Sequence, residues 1–593
     1  MGWETQSRAE RDPAAPTGRH LREQLAALLS ERFRLDPPET DRLTSDVEWR
    51  VFKRGDVTFP GADEPGNRQW LILSGRLQSL RGEETGPGSF LEEGRAVRPL
   101  LVAGIPGSTL DRVAHRSPAL AVARALAARA PRRAGRATVT AVVAGSGLDT
   151  RYELFRLGDG LAQLGPTAAL WAERVDTLLG TPGISDSEMG DPGDFEVNRL
   201  LHRLEEDNDH LALEVGRRPT AWSRRVLESA DHIAVVLRTA SQPDDGVLRL
   251  LDHAPPDTER ALVLVGEDLT TPTGTREALD SLSCDYALHL DTSRPGEAAR
   301  MARTITGHAR GLVLSGGGAR GFAHLGVYRA LCELGMTIDV FGGSSIGTPL
   351  AAAMADGHPP EVLEPLVARL FADVLDYTVP LVAFTGGRGI ARAATEVFGS
   401  RDIEDLHLPF FGVSTDLTAS DTRVHRRGSV VRTIRASCAV PGLMPPVPDE
   451  GHLLVDGGVT NNLPIDVMRR ITPRGEVIAV DVVPSAGPAA REEFGLWVSG
   501  TRMLRERFRG RRPAPPISMT LMRALTVGSG SRHKEMGLAG LADRLIDIDI
   551  DRVPMLAFDR VTEIARRGYE MAVPQIEAWL EAGKEGHVAS HPA

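Results

Sequence analysis

Apolar residues fall along the chain in changing rhythms, and each change marks a boundary. Residues 1–17 are polar and rich in Pro and Ala, the composition of a disordered leader. Leu21, Leu25, Leu28 and Phe33 then follow near-helical spacing and predict one amphipathic helix. From about residue 47 to 130 the pattern shortens to strand-like pieces, VEWRVFKRG, QWLILSG and RLQSLRG, punctuated by Gly, Asp and Pro. That predicts a small antiparallel β-barrel or jelly roll, closed by the helix-like run SPALAVARALAARA (117–130). Near Arg136 the rhythm changes again. ATVTAVVAGSG, HLALEV, HIAVVLR and ALVLVGE are apolar strands separated by helical stretches, the signature of a parallel α/β sheet. This section runs to about 305 without a G-x-x-x-x-G-K-[ST], so it predicts a Rossmann-like layer lacking a nucleotide-hydrolysing loop; the GSG at 145–147 reads as a tight turn. A further α/β unit opens at Gly311. The expected division is a leader (1–17), a β domain (18–135), a Rossmann-like α/β domain (136–305) and a C-terminal α/β domain (306–593).

Composition narrows the function. The 593 residues include 80 acidic and 69 basic side chains, a net charge of −11, and 41% hydrophobic residues. A dedicated nucleic-acid binder would show a basic excess, so no nucleic-acid partner is expected. Three scattered cysteines, Cys284, Cys332 and Cys438, suit neither a disulfide framework nor a zinc site. The N-terminus lacks the apolar core of a signal peptide, and no uncharged apolar run reaches the roughly 18–20 residues that span a bilayer. A multidomain protein of the reducing cytoplasm is expected, with peripheral membrane association left open.

The chemistry concentrates after Gly311. GLVLSGGGARGFAHLGVYRALCELG (311–335) reads as an apolar strand, a glycine-rich turn and a helix ended by Gly335. Gly316, Gly318 and Gly321 also satisfy the G-x-G-x-x-G dinucleotide fingerprint, with Asp339 as its acid, so an oxidoreductase is one reading. In both cases glycines turn backbone N–H groups outward at a helix N-terminus, where negative charge is favoured. That charge is either a bound phosphate or a transient oxyanion. The next segment favours the oxyanion. TIDVFGGSSIGTPLAAAMADG holds Gly343-Ser344-Ser345-Ile346-Gly347, a G-x-S-x-G elbow between an apolar strand and an Ala-rich helix. Ser345 is the candidate nucleophile, and Gly343 and Gly347 leave room for the turn. A serine needs a base. Asp456 in HLLVDGGVTNNLP (452–464), followed by Gly457 and Gly458, is one candidate, although D-G-G is also a common turn. His324, His425 and His452 are others; none carries a triad signature, and His324 reads as a packed helix residue.

Taken in order, G-G-G-A-R-G, G-S-S-I-G and D-G-G-V-T-N-N-L-P resemble the patatin-like phospholipase family. RASCAVPGLMPPV (435–447) and FFGVSTDLTAS (410–420) are similar to its accompanying segments. The resemblance implies a Ser–Asp dyad, with Ser345 as nucleophile, Asp456 as base and no catalytic histidine. It implies an oxyanion hole from the N–H groups of Gly316, Gly317 and Gly318, with Arg320 ordering that loop, and neither metal nor cofactor. The implied reaction is hydrolysis of carboxylic esters in lysophospholipids or related lipids. FKRGDVTFPGADEPGNRQWLILSGRLQSLRG (52–82), WSRRVLESADHIAVVLR (222–238) and DIDIDRVPMLAFDRVTEIARRGYEMA (547–572) extend the resemblance to the neuropathy target esterase-like branch over nearly all of residues 20–575. Its order is a cyclic-nucleotide-binding-like barrel, a Rossmann-like layer and a patatin domain. The alternative is a regulatory protein whose N-terminal half senses a ligand above a weak or silent hydrolase domain; the intact motifs argue against it.

Two partners follow from that branch. A cyclic phosphate needs a well-placed arginine. The relevant stretch offers only Glu92, Glu93 and Arg95 or Arg112 as imperfect counterparts, so a scaffold that no longer binds the nucleotide is expected. A lipid surface is the other. FGLWVSGTRMLRERFRGRR (494–512) places Trp497, Thr501, Leu504 and Phe508 at helical spacing beside six arginines and one acid, Glu506, as an interfacial helix would. A packed helix with a solvated basic face is the plainer expectation.

Overall fold

The computed structural model describes residues 137–483 apart from 189–191, 240, 242, 256–257 and 268–271, then 497, 499–509, 538–550 and 553–588. Further N-terminal it describes seven strands and a few other positions between 25 and 106. The leader, Leu21, Leu28, Phe33, Glu92, Glu93, Arg112, the run 117–130 and residues 494–496 and 510–512 lie outside the described residues.

Two compact units emerge, Met1–Arg136 with Pro255–Asp257, and Ala137–Ala254 with Thr258–Ala593. In the first, Glu48–Phe52, Leu100–Pro106 and Arg68–Ser74 pair antiparallel, and Val57–Thr58, Gly94–Ala96, Leu77–Ser79 and Glu84–Thr85 form a second antiparallel sheet. These are the strands of a small jelly-roll-like β domain, with Trp70, Leu71 and Ile105 buried. Arg95 belongs to the strand Gly94–Ala96.

The second unit contains two α/β layers. One is a six-stranded parallel sheet in the order Tyr286–Asp291, Glu259–Gly266, His232–Arg238, Thr138–Ala144, His210–Glu214, Thr167–Leu170. Helices cover both faces of a parallel sheet, so its strands must be apolar throughout. Val139, Leu213 and Val235 accordingly enter one core, and Val142, Ala212 and Val236 the other. The second layer is an eight-stranded mixed sheet. Phe410–Asp416, Val340–Ser344, Gly311–Leu314, Val477–Asp481 and Arg544–Asp547 run parallel through its centre. Asp421–His425, His452–Asp456 and Val447–Asp449 add antiparallel pairs beside Phe410–Asp416 or next to it.

Ala137–Ala254 and Thr258–Ala593 group as one compact unit, and hydrogen bonds cross between its two layers. Arg303 grips the fully buried Asp339 through Nε and Nη2 at 2.8 and 2.6 Å. Arg427 reaches Asp280 and the Cys284 carbonyl, and buried His289 meets the Glu404 carbonyl at 2.8 Å. The 494–512 expectation changes. Its helix covers Gly500–Phe508, and Trp497 and Phe508 are 79% and 84% exposed, where a packed helix would bury them. Among the described residues no helix is long and apolar enough to cross a membrane, and no cluster of metal-ligating side chains occurs.

Candidate active site

The site forms where the central strands end. Gly311–Leu314 leads into the glycine loop, and its neighbour Val340–Ser344 leads into Ser345. Ser345 has φ = +51°, a left-handed conformation that a residue with a Cβ adopts only under constraint, and the helix Gly347–Ala355 begins two residues later. The turn is tight enough to require its flanking glycines. A Cβ on Gly347 would lie 2.4 Å from the Leu314 carbonyl oxygen, and one on Gly343 would lie 2.5 Å from Gly347 backbone.

Asp456 arrives on an antiparallel strand. Register sets Ser344 opposite Val413 and Asp456 opposite Ser414, so the two chain ends meet across one intervening strand. Ser345 Oγ donates to Asp456 Oδ2 at 2.6 Å, and Gly458 N–H donates to Asp456 Oδ1 at 2.8 Å. Both side chains are buried, Ser345 at 5% exposure and Asp456 at 2%. Burial pushes the Asp456 carboxyl up from 3.8 to about 6, against the opposing hydrogen bonds from Ser345 and Gly458.

The glycine loop lies directly against the serine: a Cβ on Gly316 would stand 2.8 Å from Ser345 Cβ. Its three N–H groups are not equivalent. Gly316 N–H donates to the Asn462 carbonyl at 3.1 Å, which leaves Gly317 and Gly318 as the loop donors without a protein acceptor among the described residues. Arg320 Nε donates to the Val553 carbonyl at 2.9 Å and Ala319 N–H to the Met555 carbonyl at 2.7 Å, so the C-terminal segment holds the loop.

The other candidates lie elsewhere. His324 is fully buried with Nε2 2.9 Å from the Ser315 carbonyl, and burial pushes its imidazole down to about 4. His425 Nε2 meets Ser414 Oγ at 2.7 Å, and His452 Nδ1 lies 2.7 Å from Asp416 Oδ2. Asp339, the would-be dinucleotide acid, is fully buried and held by Arg303 and by the Arg310 N–H, out of reach of a ribose.

Sequence reasoning did not single out the residues that brace the elbow. Ser345 N–H donates to Ser437 Oγ at 3.0 Å, and Ser437 Oγ donates to the Val413 carbonyl and meets Thr348 Oγ1 at 2.6 Å each. Cys438 Sγ donates to the Ser345 carbonyl at 3.3 Å, and Asn462 Nδ2 donates to the Gly316 carbonyl at 3.3 Å. The strings R-A-S-C and T-N-N-L-P carried these residues, but nothing local assigned their partners. Beside the nucleophile helix lies an apolar cavity lined by Leu350, Leu363, Val367, Phe371, Ile390 and Ile434 among others.

A family model described as patatin-like phospholipase matches residues 312–469, which include Ser345 and Asp456. Patatin-like phospholipase domain-containing protein 7 of Mus musculus is 29% identical over 486 residues, 75% of this chain and 35% of the relative. Protein 6 of the same designation from Homo sapiens is 33% identical over 363 residues, 55% of this chain and 26% of the relative. An uncharacterised NTE family protein of Mycobacterium tuberculosis is 32% identical over 587 residues, 93% of each chain. The chain therefore spans about a third or less of these two mammalian relatives and nearly the whole of the mycobacterial one.

Proposed function

The chain belongs to the NTE family, with a patatin-like region at residues 312–469, and on that premise we propose that it is a serine hydrolase acting on carboxylic esters of lysophospholipids or related lipids. One observation carries the reading. A serine held in the left-handed region between strand and helix donates its hydroxyl to a buried carboxylate whose proton affinity is raised. A base near neutrality is matched to taking and returning a proton.

Ser345 Oγ attacks the ester carbonyl carbon as its proton passes to Asp456. The oxyanion that forms faces the N–H groups of Gly317 and Gly318, each worth a few kcal/mol in a buried site. The positive end of the helix Gly347–Ala355 favours the same charge. Collapse breaks the C–O bond, and Asp456 returns the proton to the leaving alcohol. Water then attacks the acyl-serine by the same route and releases the fatty acid.

A panel of lysophospholipid, phospholipid and short-chain esters run on wild type, Ser345→Ala and Asp456→Asn tests this. Both variants should lose about 10³-fold or more in kcat, and a fluorophosphonate should label wild type at Ser345 alone. A wild type that neither reacts with the probe nor cleaves any ester would remove the proposal.

A further inference from the structure

The helices Pro360–Phe371 and Arg388–Phe398 are joined through Tyr377-Thr378-Val379-Pro380-Leu381-Val382-Ala383-Phe384, and no charged residue occurs between Asp376 and Arg388. The stem of this connection is pinned. Asp376 carboxylate oxygens accept the N–H groups of Gly387 and Arg388 at 3.0 and 2.9 Å, and Thr378 N–H donates to the Phe384 carbonyl at 3.0 Å. Phe384 and Thr385 N–H groups donate to Gly442 and Leu443 carbonyls at 2.9 Å, a few residues beyond the Ser437 and Cys438 that brace the nucleophile. The tip is bare. Val379, Leu381 and Val382 are 73%, 90% and 73% exposed, and Tyr377 and Phe384 flank them, also exposed.

Single exposed apolar residues are ordinary, but five within eight positions on a pinned hairpin are not, and such a surface calls for an apolar occupant. Its position says which. Phe371 and Ile390, each six residues from an end of the hairpin, line the apolar cavity, and Leu350 of the nucleophile helix lines it too. The exposed tip and the cavity beside the helix Gly347–Ala355 are thus carried by the same pair of helices. We propose that the hairpin 377–384 docks the protein on a lipid surface, its tip entering the hydrocarbon of an uncharged, phosphatidylcholine-type layer. That such a layer supplies substrate to Ser345 rests on the reading of the site as a lipid ester hydrolase; the docking does not.

An uncharged tip makes the binding indifferent to salt, whereas contact through the basic helix Gly500–Phe508 would weaken as salt screens it. Full-length wild type, Ser345→Ala, Leu381→Trp and the double variant Leu381→Asp/Val382→Asp are co-sedimented with pure phosphatidylcholine vesicles at about 0.1 and about 1 M salt. Wild type, Ser345→Ala and Leu381→Trp are expected to bind at both salt concentrations. The double variant should lose roughly tenfold or more in partitioning while keeping the wild-type circular dichroism and melting midpoint. Vesicle binding unaffected by the two aspartates overturns the proposal, as does binding that needs anionic lipid and vanishes in salt. So does a dimer of wild type that the substitution dissociates without any vesicle binding, which would make the hairpin an interface between copies. If wild type cleaves no ester while sedimentation still follows the hairpin, the catalytic reading fails and the docking stands.

Discussion

At the scale of one residue, the choice of Asp456 as proton acceptor has a cost that can be measured. Its carboxylate is held by one hydroxyl and one N–H, and no cation pairs with it among the described residues. A shift from 3.8 to about 6 corresponds to about 3 kcal/mol of unfavourable free energy for the ionised form in the folded state. Because the folded carboxyl binds its proton more tightly than the unfolded one, this group favours folding below about pH 4, and that contribution is lost as pH rises through about 6. Asp456→Asn removes the titration. The variant is expected to be inactive yet more stable than wild type by about 1–2 kcal/mol near pH 8, somewhat less than the full penalty because the amide offers only one acceptor oxygen. The difference should shrink towards pH 4, as urea unfolding at a series of pH values would show. Activity runs the opposite way. Only the ionised carboxylate can take the serine proton, so kcat/KM should fall about tenfold per unit below about pH 6 and level off above it. A profile flat down to about pH 4.5 would assign the base elsewhere.

At the scale of elements, the left-handed Ser345 persists because three chain segments over-determine it. The strand before it and the helix after it set the turn, and the helix Val430–Ser437 supplies the Ser437 hydroxyl that receives its N–H. Ser437→Ala would leave that N–H short of a partner in a buried site, while the Thr348 hydroxyl keeps the Gly343 carbonyl at 3.0 Å. The expected loss is about 1–3 kcal/mol in stability, with a fall in kcat larger than any rise in KM because the serine loosens rather than the pocket. Gly347→Ala should cost more, since its Cβ would meet Leu314 backbone that cannot move away; denaturant unfolding of the two variants orders them. The elbow and the glycine loop were legible in the chain because each is a strand, a turn and a helix within a few tens of residues. Asp456 was legible as a candidate, but only the antiparallel pairing with Phe410–Asp416 brings it to Ser345, 111 positions away. Ser437 and Asn462 reach Ser345 and Gly316 through hydrogen bonds across 92 and 146 positions, and no periodicity encodes such bonds. The alternative raised by the glycine fingerprint turns on a contact of the same kind: Asp339 has the spacing of a ribose-binding acid, but it is buried beneath Arg303, 36 positions away.

At the scale of the molecule, the alternation of strand and helix marks two α/β layers, and hydrogen bonds between them lie within one compact unit. Periodicity reports which residues leave water; it does not report which arginine of one layer will bind which aspartate of the next. Asp339 has no exposure at all, and Arg303, 23% exposed, covers it from the helix Glu297–Ile305 that ends the first layer. Removing the arginine strands a buried carboxylate, a change that costs about 3 kcal/mol or more, whereas replacing both partners by apolar residues is near neutral. For the fragment beginning at Ala137, which contains both layers and every residue of the site, a single thermal transition is therefore expected. Arg303→Ala should lower the midpoint of that whole transition, and Arg303→Met/Asp339→Leu should restore most of it. Ester hydrolysis well below the midpoint should survive in both, since neither residue touches Ser345 or Asp456. Two separated transitions in wild-type calorimetry, or an Arg303→Ala variant in which only the first layer melts early, would show that the layers fold apart after all.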